Sequence, residues 1–111
     1  MTIAISAAEP QWESSIAPQF GRCPYFIVVE PATGDWEAVS NPALEASGGA
    51  GTQAAQLVSQ KGAQAVISGQ FGPKAEQVLH TAGVALYTAG QGTIPQLVSD
   101  YQAGRLTPFA S

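Results

Sequence analysis

Glycine recurs at a fixed interval in the second half of this chain. Gly62, Gly83 and Gly104 are 21 residues apart, and Gly69 and Gly90 repeat the same interval. A step of this length accommodates one helix, one short strand and the turns that join them. The period therefore predicts a repeated supersecondary unit, in which glycine follows each helix in the left-handed conformation.

The apolar residues between these glycines alternate between helical and strand patterns. Two short apolar runs, 65–67 and 84–87, have the length of buried strands. Pro73 suits the first turn of a helix, and Thr93 with Gln96 has the spacing of a capping box. Three segments have the i, i+3, i+4 spacing of one helix face: Ala50, Ala54, Leu57 and Val58; Ala75, Val78, Leu79 and Ala82; Ile94, Leu97, Val98 and Tyr101. Helices that alternate with buried strands predict right-handed crossovers onto a parallel sheet.

The first half of the chain has a different pattern. A short apolar strand is predicted at 3–5, and two strands at 25–30 and 36–39 flank a turn that begins at Pro31 and contains Gly34. The two flanking strands should be antiparallel. We therefore expect one α/β domain over residues 1–111, with three layers, a mixed sheet of about five strands and three helices.

Charge is scarce in this sequence. Only 11% of the residues are charged, the net charge is −4, and the four cations Arg22, Lys61, Lys74 and Arg105 are scattered. We expect no nucleic-acid partner on these grounds, since affinity for nucleic acid grows with clustered cations. The longest strongly apolar run, 25–29, is far short of the roughly 20 residues that a membrane span needs. We expect no membrane association and a cytoplasmic location, with which a single cysteine agrees.

Candidate residues for chemistry are few. Paired carboxylates or a nucleophile beside a base are not indicated, so we expect a protein that is not an enzyme. Cys23 lies just before a predicted strand, and Arg22 beside it would favour the thiolate, the form that ligates metals. Buried packing as a small apolar side chain is the alternative for Cys23. His80 lies in the second predicted helix. Packing or solvent exposure of its side chain is a simpler interpretation there than metal ligation.

Two glycine-rich segments each open a predicted helix. Residues 49–54 match G-x-G-x-x-A, but the following strand does not end in the acidic residue that dinucleotide binding requires. The segment 69–74 follows a predicted strand and ends in a cation, Lys74. Ligands of open α/β sheets bind beyond the carboxyl ends of the strands, so both segments could line one cleft for an anion. Close packing of helix on sheet is the alternative role for these glycines.

The motifs and their order resemble those of the dinitrogenase iron-molybdenum cofactor biosynthesis family. The resemblance extends over nearly the whole chain and rests on Phe20-Gly21-Arg22-Cys23-Pro24-Tyr25-Phe26, Asn41-Pro42, Gly49-Ala50-Gly51 with Gln53-Ala54-Ala55, Gly69, Gly72-Pro73 and Ala103-Gly104-Arg105-Leu106. It implies a ribonuclease H-like arrangement of the sheet. The family includes cofactor carriers and the terminal domain of the radical enzyme that builds the nitrogenase cofactor precursor, so a link to nitrogen fixation is implied as well.

The resemblance also implies a function and a site. The expected function is to bind an anionic metal–sulfur cluster of the iron–sulfur or iron–molybdenum type and to pass it on without turnover, with cofactor-assembly proteins as partners. Cys23 would be an optional metal ligand. The alternative is a regulatory or interaction module that binds a small anion or a protein partner without a cluster. The implied site residues are Phe20, Gly21, Arg22, Cys23, Gly49, Ala50, Gly51, Gly69, Gly72 and Pro73.

Overall fold

The computed structural model describes residues 1–45 and 49–109. Within these residues, a mixed sheet of six strands lies between helices. The strands are β1 (Thr2–Ala7), β2 (Tyr25–Glu30), β3 (Asp35–Ser40), β4 (Ala63–Ser68), β5 (Ala85–Thr88) and β6 (Thr107–Pro108). The helices are α1 (Ala50–Gln60), α2 (Pro73–Thr81) and α3 (Ile94–Gln102), and a 3₁₀ helix covers Pro42–Glu45.

The strand order is β3-β2-β1-β4-β5-β6. β1, β2 and β3 pair antiparallel, as the predicted hairpin requires, whereas β4 and β5 continue the sheet in parallel with β1. The register places Ile5 between Ile27 on β2 and Ile67 on β4. The prediction of a mixed sheet with a β-hairpin followed by βα units is confirmed.

Two buried clusters on opposite faces of the sheet define three layers. Alternate strand residues point to opposite faces, so Ala4 and Val66 pack under α1 and α2, while Ile5 and Ile67 pack under α3. This arrangement agrees with the ribonuclease H-like fold that the resemblance implies. None of the helices in the described residues is long and apolar enough to cross a membrane.

The sequence signals for helix ends predicted the glycines after the three helices but not the cap at the start of α3. Gly62, Gly83 and Gly104 follow the three helices with φ of 82°, 77° and 73°, as the glycine period predicts. The capping box is not formed, because the Thr93 side chain makes no capping hydrogen bond and Gln96 Nε2 donates to Asp100 Oδ1 at 3.1 Å.

The sheet exceeds the expected five strands by one short strand. β6 pairs antiparallel with β5, and the Phe109 N–H then donates to the Leu86 carbonyl at 2.9 Å. A two-residue strand that contains Pro108 has too little pattern to be recognised in the sequence.

Candidate functional site

A cleft of about 470 Å³ opens beyond the carboxyl end of β4. Three segments form it: residues 19–22 from the long connection after β1, residues 49–52 at the start of α1, and residues 70–75 between β4 and α2. We call the first of these the 19–22 wall. The predicted convergence of the two glycine-rich segments on one cleft is therefore seen in the structure.

Glycine allows the three segments to approach one another closely. A Cβ atom on Gly21 would lie 3.1 Å from the Gly51 backbone, and one on Gly51 would lie 3.2 Å from the Ala75 Cβ. Separations this short are tighter than nine in ten contacts of real Cβ atoms. Gly51 thus lies between the 19–22 wall and the first turn of α2, and brings the starts of both helices to one point.

The amino ends of α1 and α2 face the cleft without side-chain caps. Gly49 and Gly72 occupy the two N-cap positions, and neither end has a side-chain capping hydrogen bond. The first intrahelical donors are the N–H groups of Gln53 and Glu76, so the N–H groups that precede them have no acceptor within their own helix. Each helix end carries roughly half a positive charge, which favours an anion.

The side chains of the cleft add positive charge and hydrogen-bonding groups. Arg22 and Lys74 are exposed there, as are Gln19 and Gln70, and Thr52 is half-buried. The described residues that line the cleft include no Asp, Glu, Cys or His. Their arrangement suits an anion that needs no protein ligand to its metal.

Two aromatic rings give the cleft an apolar floor. Phe20 and Phe71 lie with ring centroids 5.3 Å apart, and both are almost fully buried. Phe109 packs edge-on against Phe71 at 5.0 Å, so the segment after β6 supports this floor from behind. The floor can accept a ligand whose surface is not uniformly polar.

Most of the predicted site residues line this cleft: Phe20, Gly21, Arg22, Gly49, Ala50, Gly51, Gly72 and Pro73. Gly69 is absent from the lining and has a different role, because a Cβ atom on it would lie 2.5 Å from the Pro18 carbonyl oxygen. It allows the connection after β1 to pass close to the end of β4, where Gln19 bridges to Gln70. Six further residues line the cleft that were not named as site residues, although Lys74 was noted as the cation that ends the segment 69–74: Gln19, Thr52, Gln70, Phe71, Lys74 and Ala75. All six lie within or directly beside the segments marked in the sequence.

The sequence profile of the family described as dinitrogenase iron-molybdenum cofactor matches residues 1–104. The chain belongs to this family.

Known proteins are similar to this family member over nearly their whole length, two in structure and one in sequence. The apo form of the orange protein from Desulfovibrio gigas is 37% identical, with a TM-score of 0.94 over 99% of this chain and 93% of that one. A putative NifB protein from Thermotoga is 28% identical, with a TM-score of 0.85 over 99% of this chain and 97% of that one. An uncharacterized protein of Methanocaldococcus jannaschii is 32% identical over 105 residues, which cover 92% of this chain and 89% of the relative.

In this family member, the Cys23 thiol is buried behind the 19–22 wall. The residue is 2% exposed, its Sγ donates to the Phe20 carbonyl at 3.3 Å, and it borders a separate pocket of about 220 Å³. Burial raises the pKa of Cys23 from its ordinary 9.0 to about 12, more than the Asn41 hydrogen bond lowers it. The expectation that Arg22 would favour the thiolate is therefore wrong for this conformation. Metal ligation by Cys23 stays a prediction, and it requires the buried thiol to become exposed.

His80 lies away from the cleft lining, exposed on α2, with its Nε2 3.6 Å from a Glu76 carboxylate oxygen. This agrees with the solvent-facing interpretation. Within the part of the chain that the structure describes, no group of three or more His, Cys, Asp or Glu side chains is placed to hold a metal ion.

Proposed function

We propose that this protein binds an anionic metal–sulfur cluster, of the iron–sulfur or iron–molybdenum type, in the cleft and carries it between cofactor-assembly proteins. One observation carries the proposal. Two helix amino ends without side-chain caps converge with Arg22 and Lys74 on a cleft whose described lining contains no carboxylate. Helix dipoles, backbone N–H groups and cations then all favour negative charge at one place.

The residues that line the cleft hold the cluster without bonds to its metal atoms, and Cys23, which is buried outside the lining, is an optional ligand only if its thiol becomes exposed. The described lining offers no thiolate, imidazole or carboxylate, so the cargo brings its own sulfur ligands. Backbone N–H groups at the starts of α1 and α2 donate to sulfur atoms on its surface. Binding that breaks no covalent bond on release suits a carrier.

Family membership supports the choice of cargo. The family is described by the iron-molybdenum cofactor, and one of the structural relatives is a putative NifB protein. We assign the protein no turnover, because a nucleophile with its base, or a pair of carboxylates, is not found among the described residues that line the cleft.

Anaerobic titration tests the proposal directly. The probes are a preformed iron–sulfur cluster capped by small thiolates and, separately, tetrathiomolybdate, with absorbance and gel filtration as readouts. We expect one probe per chain to migrate with the protein at micromolar concentrations. If neither probe does so, the carrier function is wrong.

A pair of charge variants tests whether the cleft is the binding site. Lys74→Gln removes a cleft cation, and we expect the affinity for tetrathiomolybdate to fall by about twofold to fivefold, with a weaker dependence on salt. Lys61→Gln is the matched control, since Lys61 pairs with Glu37 at 3.2 Å outside the cleft lining. Equal affinities for the two variants would place the bound anion elsewhere.

An anion that contains no metal is the second candidate ligand, because the cations and backbone N–H groups of the same lining would also favour it. It is favoured if phosphate-containing compounds raise the melting temperature of the metal-free protein while both cluster probes fail to bind.

A further inference from the structure

Asn41 lies outside the cleft lining, at the point where β3 ends and the 3₁₀ helix begins. It is only 5% exposed, and it is one of the few buried polar residues of the described chain. A buried amide must satisfy its hydrogen bonds within the protein. The partners of Asn41 therefore show what its side chain does.

The amide nitrogen of Asn41 holds the end of the 19–22 wall. Its Nδ2 donates to the Cys23 carbonyl at 2.8 Å and to the Gly21 carbonyl at 3.3 Å, and it lies 3.8 Å from the Cys23 Sγ. The contacts span 18 to 20 residues of sequence. One side chain thus fixes both the wall and the cysteine that follows it.

The amide oxygen of Asn41 holds a second element. Its Oδ1 accepts a hydrogen bond from the Ala43 N–H at 3.0 Å, in the 3₁₀ helix that precedes α1. The asparagine side chain can do this because its amide carries a hydrogen-bond donor, the NH2 group, beside an acceptor, the oxygen. Asn41 therefore joins the 19–22 wall to the segment that leads to the opposite side of the cleft.

The other end of the wall is fixed by the main chain. The Phe20 N–H donates to the Gln70 carbonyl at 3.0 Å, next to the bridge between Gln19 and Gln70. Between this attachment and Asn41, Gly21 lies against the backbone of Gly51 at the start of α1. A small shift of Gly21 would therefore change the space above the N–H groups of α1.

We propose that Asn41 is a positioning residue for the cleft: its amide holds the 19–22 wall at the distance from α1 at which an anion fits. The identity of the ligand in this inference rests on the proposed function. The role of Asn41 in holding the wall does not depend on it.

Two substitutions at position 41 separate the roles of the amide. Asn41→Ala removes the donor and the acceptor. Asn41→Asp keeps an oxygen that can accept from the Ala43 N–H but places a second oxygen against the carbonyls of Gly21 and Cys23, which repels the wall. We expect both variants to bind tetrathiomolybdate at least about fivefold more weakly than the parent protein, measured on fully folded samples.

Two further variants separate position from general stability. Val98→Ala creates a cavity beneath α3, on the other face of the sheet, and we expect it to lower stability with unchanged affinity. Gly21→Ala keeps Asn41 but forces a Cβ atom against Gly51, and we expect it to weaken binding as the Asn41 variants do. If the Asn41 variants do not fold, parental affinity in Gly21→Ala would still overturn the inference, because the position of the wall would then not govern binding.

The reactivity of Cys23 reports on the wall without any ligand. In the parent protein the thiol is buried behind the wall, so we expect slow reaction with a disulfide reagent such as dithionitrobenzoate at neutral pH. Release of the wall in the Asn41 variants exposes the thiol, and we expect at least about tenfold faster reaction than in Val98→Ala.

Probe affinity and the reaction rate of the Cys23 thiol test different claims. If the parent protein binds neither probe, the proposed function is wrong, while the thiol rates still decide whether Asn41 holds the wall. Parental thiol rates in the folded Asn41 variants would overturn the inference, as would parental affinity in a protein that does bind the probe.

Discussion

The two faces of the sheet are built from side chains of different size. Under α1 and α2, alanine is the commonest buried residue, although Phe20, Phe26 and Phe71 are buried there as well. The alanines are Ala4, Ala17, Ala43, Ala50, Ala54, Ala55, Ala63 and Ala75. Under α3, isoleucine dominates, at Ile3, Ile5, Ile16, Ile27, Ile67 and Ile94. The same strands supply both faces through their alternation, so the difference lies in the sequence and not in the fold.

Small side chains let helices approach closely, and this is what the cleft requires. α1 meets α2 at Gly51 and Ala75, where even one added methyl group would be crowded. The face under α3 buries larger side chains on average, because isoleucine takes the place of alanine there, and each fully buried isoleucine contributes about 1.5–3 kcal/mol by its removal from water. One face therefore sets the geometry of the cleft, and the other supplies more of the stability for each residue buried.

The largest expected effect is on the face under α3. Ile67 is fully buried between Ile5 and Tyr87, so Ile67→Ala should lower the free energy of unfolding by about 2–5 kcal/mol. Ile67→Val should cost only about 0.5–1.5 kcal/mol. Urea denaturation measures both losses, and tetrathiomolybdate affinity of the folded protein should not change. A loss of affinity that parallels the loss of stability would show that the two faces are not separable.

The face under α1 and α2 contains a titratable group, Cys23, and its stability should therefore depend on pH. The pKa of the folded thiol is raised to about 12, above its ordinary 9.0. At alkaline pH the unfolded chain releases this proton while the folded protein retains it, so the contribution is complete below about pH 9 and is lost as the pH rises towards 12.

Between pH 8 and pH 10 the parent protein should lose about 1.4 kcal/mol of unfolding free energy more than Cys23→Ala does. Denaturation of both proteins at the two pH values measures the difference. Parallel pH dependences would mean that the thiol is not buried in solution.

Local features of the fold could be predicted from the sequence because their causes are local. Gly62 adopts a positive φ just after a helix, and strand alternation is visible within a few residues. β6 could not be predicted, since its pairing depends on the exposed edge of β5. The Thr93 capping box satisfied the spacing rule, yet the structure shows that spacing alone did not form the hydrogen bond.

The candidate site likewise has parts that could be predicted from local sequence and parts that depend on residues far apart in the chain. The glycine-rich starts of α1 and α2 were visible as motifs, and the rule for open α/β sheets brought them together. The role of Asn41 was not visible, because its partners Gly21 and Cys23 are 20 and 18 residues away. The same holds for the burial of Cys23: its neighbour Arg22 favoured a thiolate, and only the packing of the 19–22 wall reverses that expectation.

Gly51→Ala should change the free energy of unfolding least among these variants and should still weaken binding clearly. Gly51→Ala adds a methyl group that meets the Ala75 Cβ at 3.2 Å, while alanine is the better helix former by up to about 1 kcal/mol. These effects oppose each other, so the free energy of unfolding should stay within about 1 kcal/mol of the parent value. Affinity for tetrathiomolybdate should fall severalfold, because the starts of α1 and α2 must move apart.

Ala54→Gly is the opposite control for Gly51→Ala. Ala54 is buried in the middle of α1, so its loss should lower stability by about 1 kcal/mol or more while the amino end of the helix keeps its position. Calorimetry gives the stability and the titration gives the affinity of each variant. If Ala54→Gly weakens binding and Gly51→Ala does not, the stability of α1, and not its close approach to α2, governs the cleft.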